Sequence, residues 1–262
     1  MAENTKIEWC NHTVNLWWGC SKVHTGCKNC YAESLSKRYG DDIWGVTKNR
    51  KLIKSAFTTL DKIQKRAKST GKKETVFIGS MMDIYELNYP LNNANGNYEN
   101  TAQLREELFN RINAKKYENI VFLLLTKRPN NIGTCMQFDW YNNPPHNVWI
   151  GTSISDNQTK SYARSLTHNW KGKKFLSIEP QTDMIHSLTV REYSYFDWVI
   201  QGCESGRFRR PFKIEWARQM KKECDRLGIA YFLKQIQDEN GKVIKDIEQF
   251  PKDLQVREFP TW

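Results

Sequence analysis

The chain predicts an α/β fold, a complete or partial (β/α) barrel of parallel strands, built as one domain over residues 1–262. Three observations predict it. Apolar runs of four to six residues recur without in–out alternation, as strands buried on both faces require. Amphipathic stretches of helical spacing separate these runs, and strand–helix repetition is the pattern of a parallel sheet. Polar or charged residues stand just past each run, where a parallel barrel displays its active-site groups. A doubly wound open sheet satisfies the first two observations and is the alternative.

Taken in order, the first strand is expected over 13–18, followed by a cysteine-rich loop and a helix over 31–39. A basic helical segment spans about 41–73 and carries an amphipathic stretch at 57–67. Strands follow at 75–79, 120–125, 148–153, 174–178, 198–202 and 230–233, with helices at 104–115, 158–166 and 215–227. In the last helix Trp216, Met220, Cys224 and Leu227 recur at helical spacing, and Gly228 is a natural stop. The Asn-rich segment 88–98, with one Pro and one Gly, reads as a loop, as does 142–147.

With 262 residues, 39% of them hydrophobic, the chain can bury a sizeable core. No run of about 18 apolar residues predicts a membrane span. The polar start, Met-Ala-Glu-Asn-Thr-Lys, lacks the apolar centre of a secretory signal. A cytoplasmic location is therefore expected, where thiols stay reduced, so seven cysteines point to metal or redox chemistry rather than disulfides.

The net charge of +11 is unevenly placed. Residues 48–73 hold ten Lys or Arg against Asp61 alone, and residues 207–222 hold seven against Glu215. Such clustering suits a polyanion such as DNA or RNA, although a solvated face explains it equally well. Ten tryptophans are about three times the ordinary share. Trp17, Trp18 and Trp44, beside the cysteines and the basic stretch, could stack on bases, while most of the others serve to bury area.

The cysteines narrow function most. Cys20, Cys27 and Cys30 form a C-x6-C-x2-C triplet, three soft thiolates with no obvious fourth ligand. Structural zinc sites and iron–sulfur clusters normally take four protein ligands. Three thiolates on a four-iron cluster leave one iron open to a ligand that takes part in chemistry. The other strand ends supply Gly79-Ser80-Met81-Met82-Asp83, Thr126-Lys127-Arg128-Pro129, Gly151-Thr152-Ser153, Glu179-Pro180, Gly202-Cys203-Glu204-Ser205-Gly206 and Lys234-Gln235. Each alone reads as a cap or an ion pair; their value is the coincidence.

The stretch Gly19-Cys20-Ser21-Lys22-Val23, with Gly26-Cys27-Lys28-Asn29-Cys30-Tyr31-Ala32-Glu33, resembles the signature of a phage- and prophage-encoded three-cysteine family grouped with the radical S-adenosylmethionine (SAM) superfamily. The resemblance continues through Leu125-Thr126-Lys127-Arg128-Pro129, Trp149-Ile150-Gly151, Phe175-Leu176-Ser177-Ile178-Glu179-Pro180, Asp197-Trp198-Val199-Ile200, Glu204-Ser205-Gly206, Arg210-Pro211 and Phe232-Leu233-Lys234-Gln235, nearly the whole chain in order. It does not supply a reaction. It implies a radical-SAM-like barrel in which Cys20, Cys27 and Cys30 hold a 4Fe-4S cluster and SAM chelates the open iron. One electron, from a donor such as flavodoxin or ferredoxin, would then cleave SAM to give a radical that abstracts hydrogen from a substrate. By position on the barrel, Ser80 and Asp83 would meet the methionine amino group, Lys127 its carboxylate, and Ser153 the ribose or carboxylate. Glu179 and Glu204 are the further cofactor-binding candidates among the strand-end residues. A Ser, Lys and Ser at these strand ends is similar to the lyases that reverse thymine photoproducts in DNA, which turns the substrate expectation towards nucleic acid.

Three features depart from that pattern. The first cysteine gap is six residues rather than three, so the cluster loop is longer. Asn29 precedes the third cysteine where an aromatic residue is common. Cys203 stands where the family usually has a second glycine, and is either a hydrogen-atom donor near the substrate or a small buried residue. The rival class is a nucleic-acid-binding protein whose triplet holds structural zinc, with His24 or Cys10 as fourth ligand, or an iron–sulfur site without SAM chemistry. A cluster-bearing electron carrier would use all four ligands. Glu179 reads equally as a substrate contact and as an ion-pair partner of Lys127 or Arg128, and Asp83 as a helix cap. Nothing recommends His146, His168 or His186 as ligands; Cys10, Cys135 and Cys224 read as structural.

Overall fold

The computed structural model describes residues 4–92, 97–136, 138–185 and 196–262. Its strands are β1 (His12–Val14), β2 (Trp17–Trp18), β3 (Arg50–Leu52), β4 (Glu74–Ile78), β5 (Leu91–Asn92), β6 (Ile120–Thr126), β7 (Val148–Ser153), β8 (Lys174–Ile178), β9 (Trp198–Gly202), β10 (Ala230–Gln237) and β11 (Val243–Ile244). Its helices are α1 (Tyr31–Arg38), α2 (Ala56–Thr70), α3 (Thr101–Asn113), α4 (Ile132–Cys135), α5 (Phe138–Asn142), α6 (Ser161–Asn169) and α7 (Ile214–Leu227). Strands β1-β4-β6-β7-β8-β9-β10-β11 form an eight-stranded sheet that curls into a half-barrel, parallel throughout except for the β10–β11 pair. The partial barrel of the sequence expectation is thus present. The small sheet β2-β3-β5 stands apart from it.

Continuous burial explains the continuous apolar runs. Val76 and Ile78 of β4, Phe122 and Leu124 of β6, and Ile150 of β7 join one core with Leu60 and Ile63 of α2, Leu108 and Phe109 of α3, and Trp216 and Met220 of α7. Their alternating neighbours Phe77, Val121, Leu123, Trp149, Phe175, Trp198 and Phe232 meet on the opposite, concave face. Trp9 enters this concave layer at 4.7 Å between ring centroids from Phe77, and Trp262 reaches Trp149 at 4.9 Å. Four tryptophans, Trp9, Trp149, Trp198 and Trp262, thus fill the barrel interior, while Trp17, Trp140, Trp170 and Trp216 bury their area in the outer core. Gly151 makes room in the same layer, since a Cβ there would lie 2.3 Å from the Phe175 ring.

Several expectations need correction. The run 13–18 is two strands in different sheets. Asn15 ends β1 by accepting from Met81 N (2.8 Å) and donating to the Ser80 hydroxyl (2.9 Å), which turns the chain out of the barrel before β2. The basic segment 41–73 is helical only over Ala56–Thr70, and within it Arg50–Leu52 is a strand of the small sheet. The loop expected over 88–98 contains β5; residues 93–96 of it, and His186, lie outside the described residues. The helix expected at 104–115 begins earlier, at a capping box in which Asn100 accepts from Gln103 N and Gln103 answers. Trp17 is fully buried and cannot stack on a base. Among the described residues, no helix is long and apolar enough to cross a membrane.

Candidate functional site

A cavity of about 350 Å³ opens at the carboxyl ends of the parallel strands. Cys20, Cys27 and Cys30 line it, with Ser80 and Asp83 after β4 and Lys127 after β6. Glu179 after β8, Cys203 and Glu204 after β9, and Lys234 within β10 complete its wall. Every expected site residue except Ser153 is therefore at one place. Ser153 closes β7 fully buried, its hydroxyl without a hydrogen-bond partner among the described residues, and does not reach the cavity.

The cysteine loop leaves the small sheet after β2 and crosses the barrel mouth, pinned at successive points to different strand ends. Ser21 donates from N and Oγ to Glu86 Oε1, both at 3.0 Å. Glu86 also holds Arg50 through two 2.8 Å bonds, and both side chains are wholly buried. Arg128 donates to Ser21 O (2.7 Å), to Asp83 Oδ2 (2.9 Å) and to the Cys20 thiol at 3.4 Å. Asp83 in turn accepts from Thr126 Oγ1, Lys127 N and Tyr85 N at 2.7–3.0 Å. With four protein donors the acceptor sites of its carboxylate are filled, so it fixes the end of β6 rather than facing the cavity with a free carboxylate.

Further along, His24 caps the 3-10 turn Thr25–Cys27, its Nδ1 accepting from Gly26 N at 2.9 Å. That bond puts the ring proton on Nε2, and burial lowers the His24 pKa to about 3. Thr25 Oγ1 reaches Asp156 at 2.5 Å, and Gly26 lies so near Ser155 that a Cβ would come within 2.2 Å of its hydroxyl. The six-residue gap is thus occupied by a capped turn seated on the end of β7. The third anchor is Asn29, which donates to Glu204 (3.0 Å) and to Phe208 O (2.6 Å). Glu204 is clasped by Arg210 at 2.5 Å, and Arg210 NH1 returns to Thr25 O at 3.0 Å. Burial would raise the Glu204 carboxyl, but the Arg210 and Asn29 bonds outweigh it and leave its pKa below the ordinary range. Asn29, at the position where the resembled pattern commonly has an aromatic residue, is therefore a clasp.

Glu179 pairs with Lys234 of β10, not with Lys127 or Arg128. Lys127 Nζ has no hydrogen-bond or ion-pair partner among the described residues. Burial pushes the thiols of Cys20 and Cys203 up to about 12, partly offset at Cys20 by Arg128, and raises Cys30 as well. Any metal must therefore displace thiol protons, so its uptake strengthens as pH rises. Among the described residues no three His, Cys, Asp or Glu side chains converge as the ligand set of one metal ion. Neither His24 nor Cys10 lines the cavity; Cys10 packs in the concave aromatic layer. His146 and His168 are exposed, and Cys224 is buried in the outer core.

A family model described as "Protein of unknown function (DUF5131)" matches residues 4–257. The chain belongs to that family. No curated protein and no solved structure matches it. The matched span takes in every strand and all three cysteines, so the pinned loop and its cavity are part of the family domain.

Glu86 and Arg50 are the participants that sequence reading passes over. Arg50 sits among the ten cations of 48–73, and Glu86 lies three residues beyond Asp83 in an apolar context. The only signal was a lone acid in the otherwise uncharged stretch Ile84-Tyr85-Glu86-Leu87.

Proposed function

We propose that this chain is a radical SAM-type enzyme, with Cys20, Cys27 and Cys30 holding a 4Fe-4S cluster and SAM bound beside it in the cavity. The observation that carries the reading is the gathering of three cysteines and the strand-end residues Ser80, Lys127, Glu179 and Cys203 around one cavity. Its volume of about 350 Å³ falls among small-molecule sites, which span roughly 300–1,000 Å³. The donor set, three cysteines on one cavity with neither His24 nor Cys10 beside them, suits a cluster with one open iron. One zinc ion draws each sulfur to about 2.3 Å, so its ligands must converge on a point. A four-iron cluster takes each thiolate on a different iron and asks only that they ring a common space. The two residues that could have closed a zinc site, His24 and Cys10, have other tasks.

Bound there, the group supplies one-electron chemistry: reductive cleavage of SAM and hydrogen abstraction from a substrate, with electrons from a small donor protein such as flavodoxin or ferredoxin. The chain's own residues then act as follows. Arg128 donates to the Cys20 sulfur and compensates thiolate charge. Lys127 offers an unpaired ammonium to a carboxylate, while Asp83 holds its backbone in place. Ser80 is oriented by Asn15 and has its hydroxyl proton to donate. The Glu179–Lys234 pair gives the inner wall one anionic and one cationic group. Cys203, wholly buried yet on the cavity, stays an S–H at neutral pH and can give a hydrogen atom.

The test is anaerobic reconstitution with iron and sulfide, then addition of SAM and a strong reductant. Formation of 5′-deoxyadenosine, and a change in the electron paramagnetic resonance of the reduced cluster on adding SAM, are expected for the wild type and not for Cys27→Ala. An iron-loaded protein whose spectrum ignores SAM and which cleaves none of it would leave the metal-bearing binding protein as the better reading.

A further inference from the structure

We infer that the mouth of this cavity is a landing site for single-stranded nucleic acid, with an unstacked base directed inwards. This rests on the cavity being the reaction site proposed above. Four carboxylates line it: Asp83, Glu179 and Glu204 are tied to Arg128, Lys234 and Arg210, leaving Glu8 as the one without an ion-pair partner among the described residues. The cations at the rim are placed oppositely. Lys6 and Lys245 on the lining, and Lys28 and Arg207 on the two loops beside it, are exposed and have no acidic partner among the described residues. The mouth thus presents unneutralised positive charge above a wall whose negative charge is mostly spent internally, which is the complement of a phosphate backbone.

Aromatic rings stand among these cations. Phe208 is 77% exposed at the tip of the β9–α7 loop, its carbonyl held by Asn29 at the cavity edge, with Arg207 over its ring at 5.8 Å. Tyr31 is 49% exposed, its hydroxyl tied to Ser80 O at 2.6 Å, and both it and the half-buried Trp44 line the cavity. Exposed rings interleaved with unpaired cations form the stacking platform and electrostatic funnel of single-strand binders, and a duplex would keep its bases stacked away from the cavity.

The two basic stretches divide accordingly. In 48–73 Arg50 is buried under Glu86, Lys48 and Lys51 pair with Asp42 and Asp41, and Arg66 reaches Glu74. The exposed Lys62, Lys65 and Lys68 lie on α2, which leads to the amino end of β4, away from the mouth. Of 207–222, the part that matters is the tip Arg207–Phe208.

Fluorescence anisotropy with a labelled single strand of about a dozen nucleotides, within single-strand site sizes, tests this on the full-length protein with and without iron. Single strand is expected to bind more tightly than duplex, with log affinity falling against log salt at a slope of about −3 for four phosphate contacts. Phe208→Ala weakens binding about tenfold and Phe208→Trp restores it. Lys28→Glu with Arg207→Glu flattens the slope, and Lys62→Glu with Lys65→Glu and Lys68→Glu leaves affinity unchanged. Absence of binding, preference for duplex, loss only in the α2 variant, or equal displacement by polyglutamate each overturn the inference, the last in favour of an acidic protein. Iron and sulfide content is read separately and does not depend on Phe208, so failure of the cluster and failure of the landing site are distinguishable.

Discussion

Glu86 carries more of the site than any other single residue. It accepts from Arg50, Arg128 and Ser21 at 2.8–3.3 Å while 1% exposed. Removing one partner of a buried ion pair strands the other charge in low dielectric. Glu86→Ala therefore costs about 3–5 kcal/mol in denaturant-melt stability. It also frees Ser21, so iron uptake by the folded fraction falls; an unchanged midpoint would contradict the network. His24 supplies a pH prediction. Its folded pKa is lowered from 6.5 to about 3, so between these values the unfolded chain binds a proton that the folded chain does not. Stability then rises with pH across that window and falls on acidification from about 6.5 towards 3. His24→Asn keeps a capping side chain and removes the titration, so its acid limb is shallower than the wild type's. The thiols and strand-end residues were legible because chemistry-bearing side chains stand out beside apolar runs. The Arg50–Glu86 pair was not, because an arginine in a basic stretch looks like its solvated neighbours until long-range pairing buries it.

Among elements, the inner strands of the half-barrel were readable as continuous apolar runs: β7, β8 and β9 have the expected bounds, and β4, β6 and β10 differ by a few residues. Burial on both faces imposes one composition, and that composition is local. The two- and three-residue strands β2, β3 and β5 were not readable, since partners 30 or more positions away define them, as Trp17 with Leu52 and Arg50 with Leu91. A packing prediction belongs here. Gly151 on β7 pairs with Phe175 on β8, and the missing methyl leaves the space that the Phe175 ring occupies. Gly151→Ala is expected to cost about 1–3 kcal/mol, as overpacking does. Phe175→Leu in the same chain recovers part of that loss, so the double-mutant cycle gives a favourable coupling. Additive losses would mean that the two side chains do not share the space.

At the scale of the molecule, the parallel sheet does two jobs. Its concave face is filled by Trp9, Phe77, Phe175 and Trp198, so the barrel is packed rather than open. Its carboxyl edge is left to polar groups, and the cysteine loop is drawn across that edge by Glu86, Arg128 and Arg210. Three thiols held at one mouth, with the would-be fourth ligands engaged elsewhere, are the basis of the proposed open iron. Metal content measures this most directly. Anaerobically purified and reconstituted protein is expected to carry about four iron and four sulfide per chain, and Cys20→Ala, Cys27→Ala and Cys30→Ala to lose them. One zinc per chain, with no iron uptake, would contradict the account.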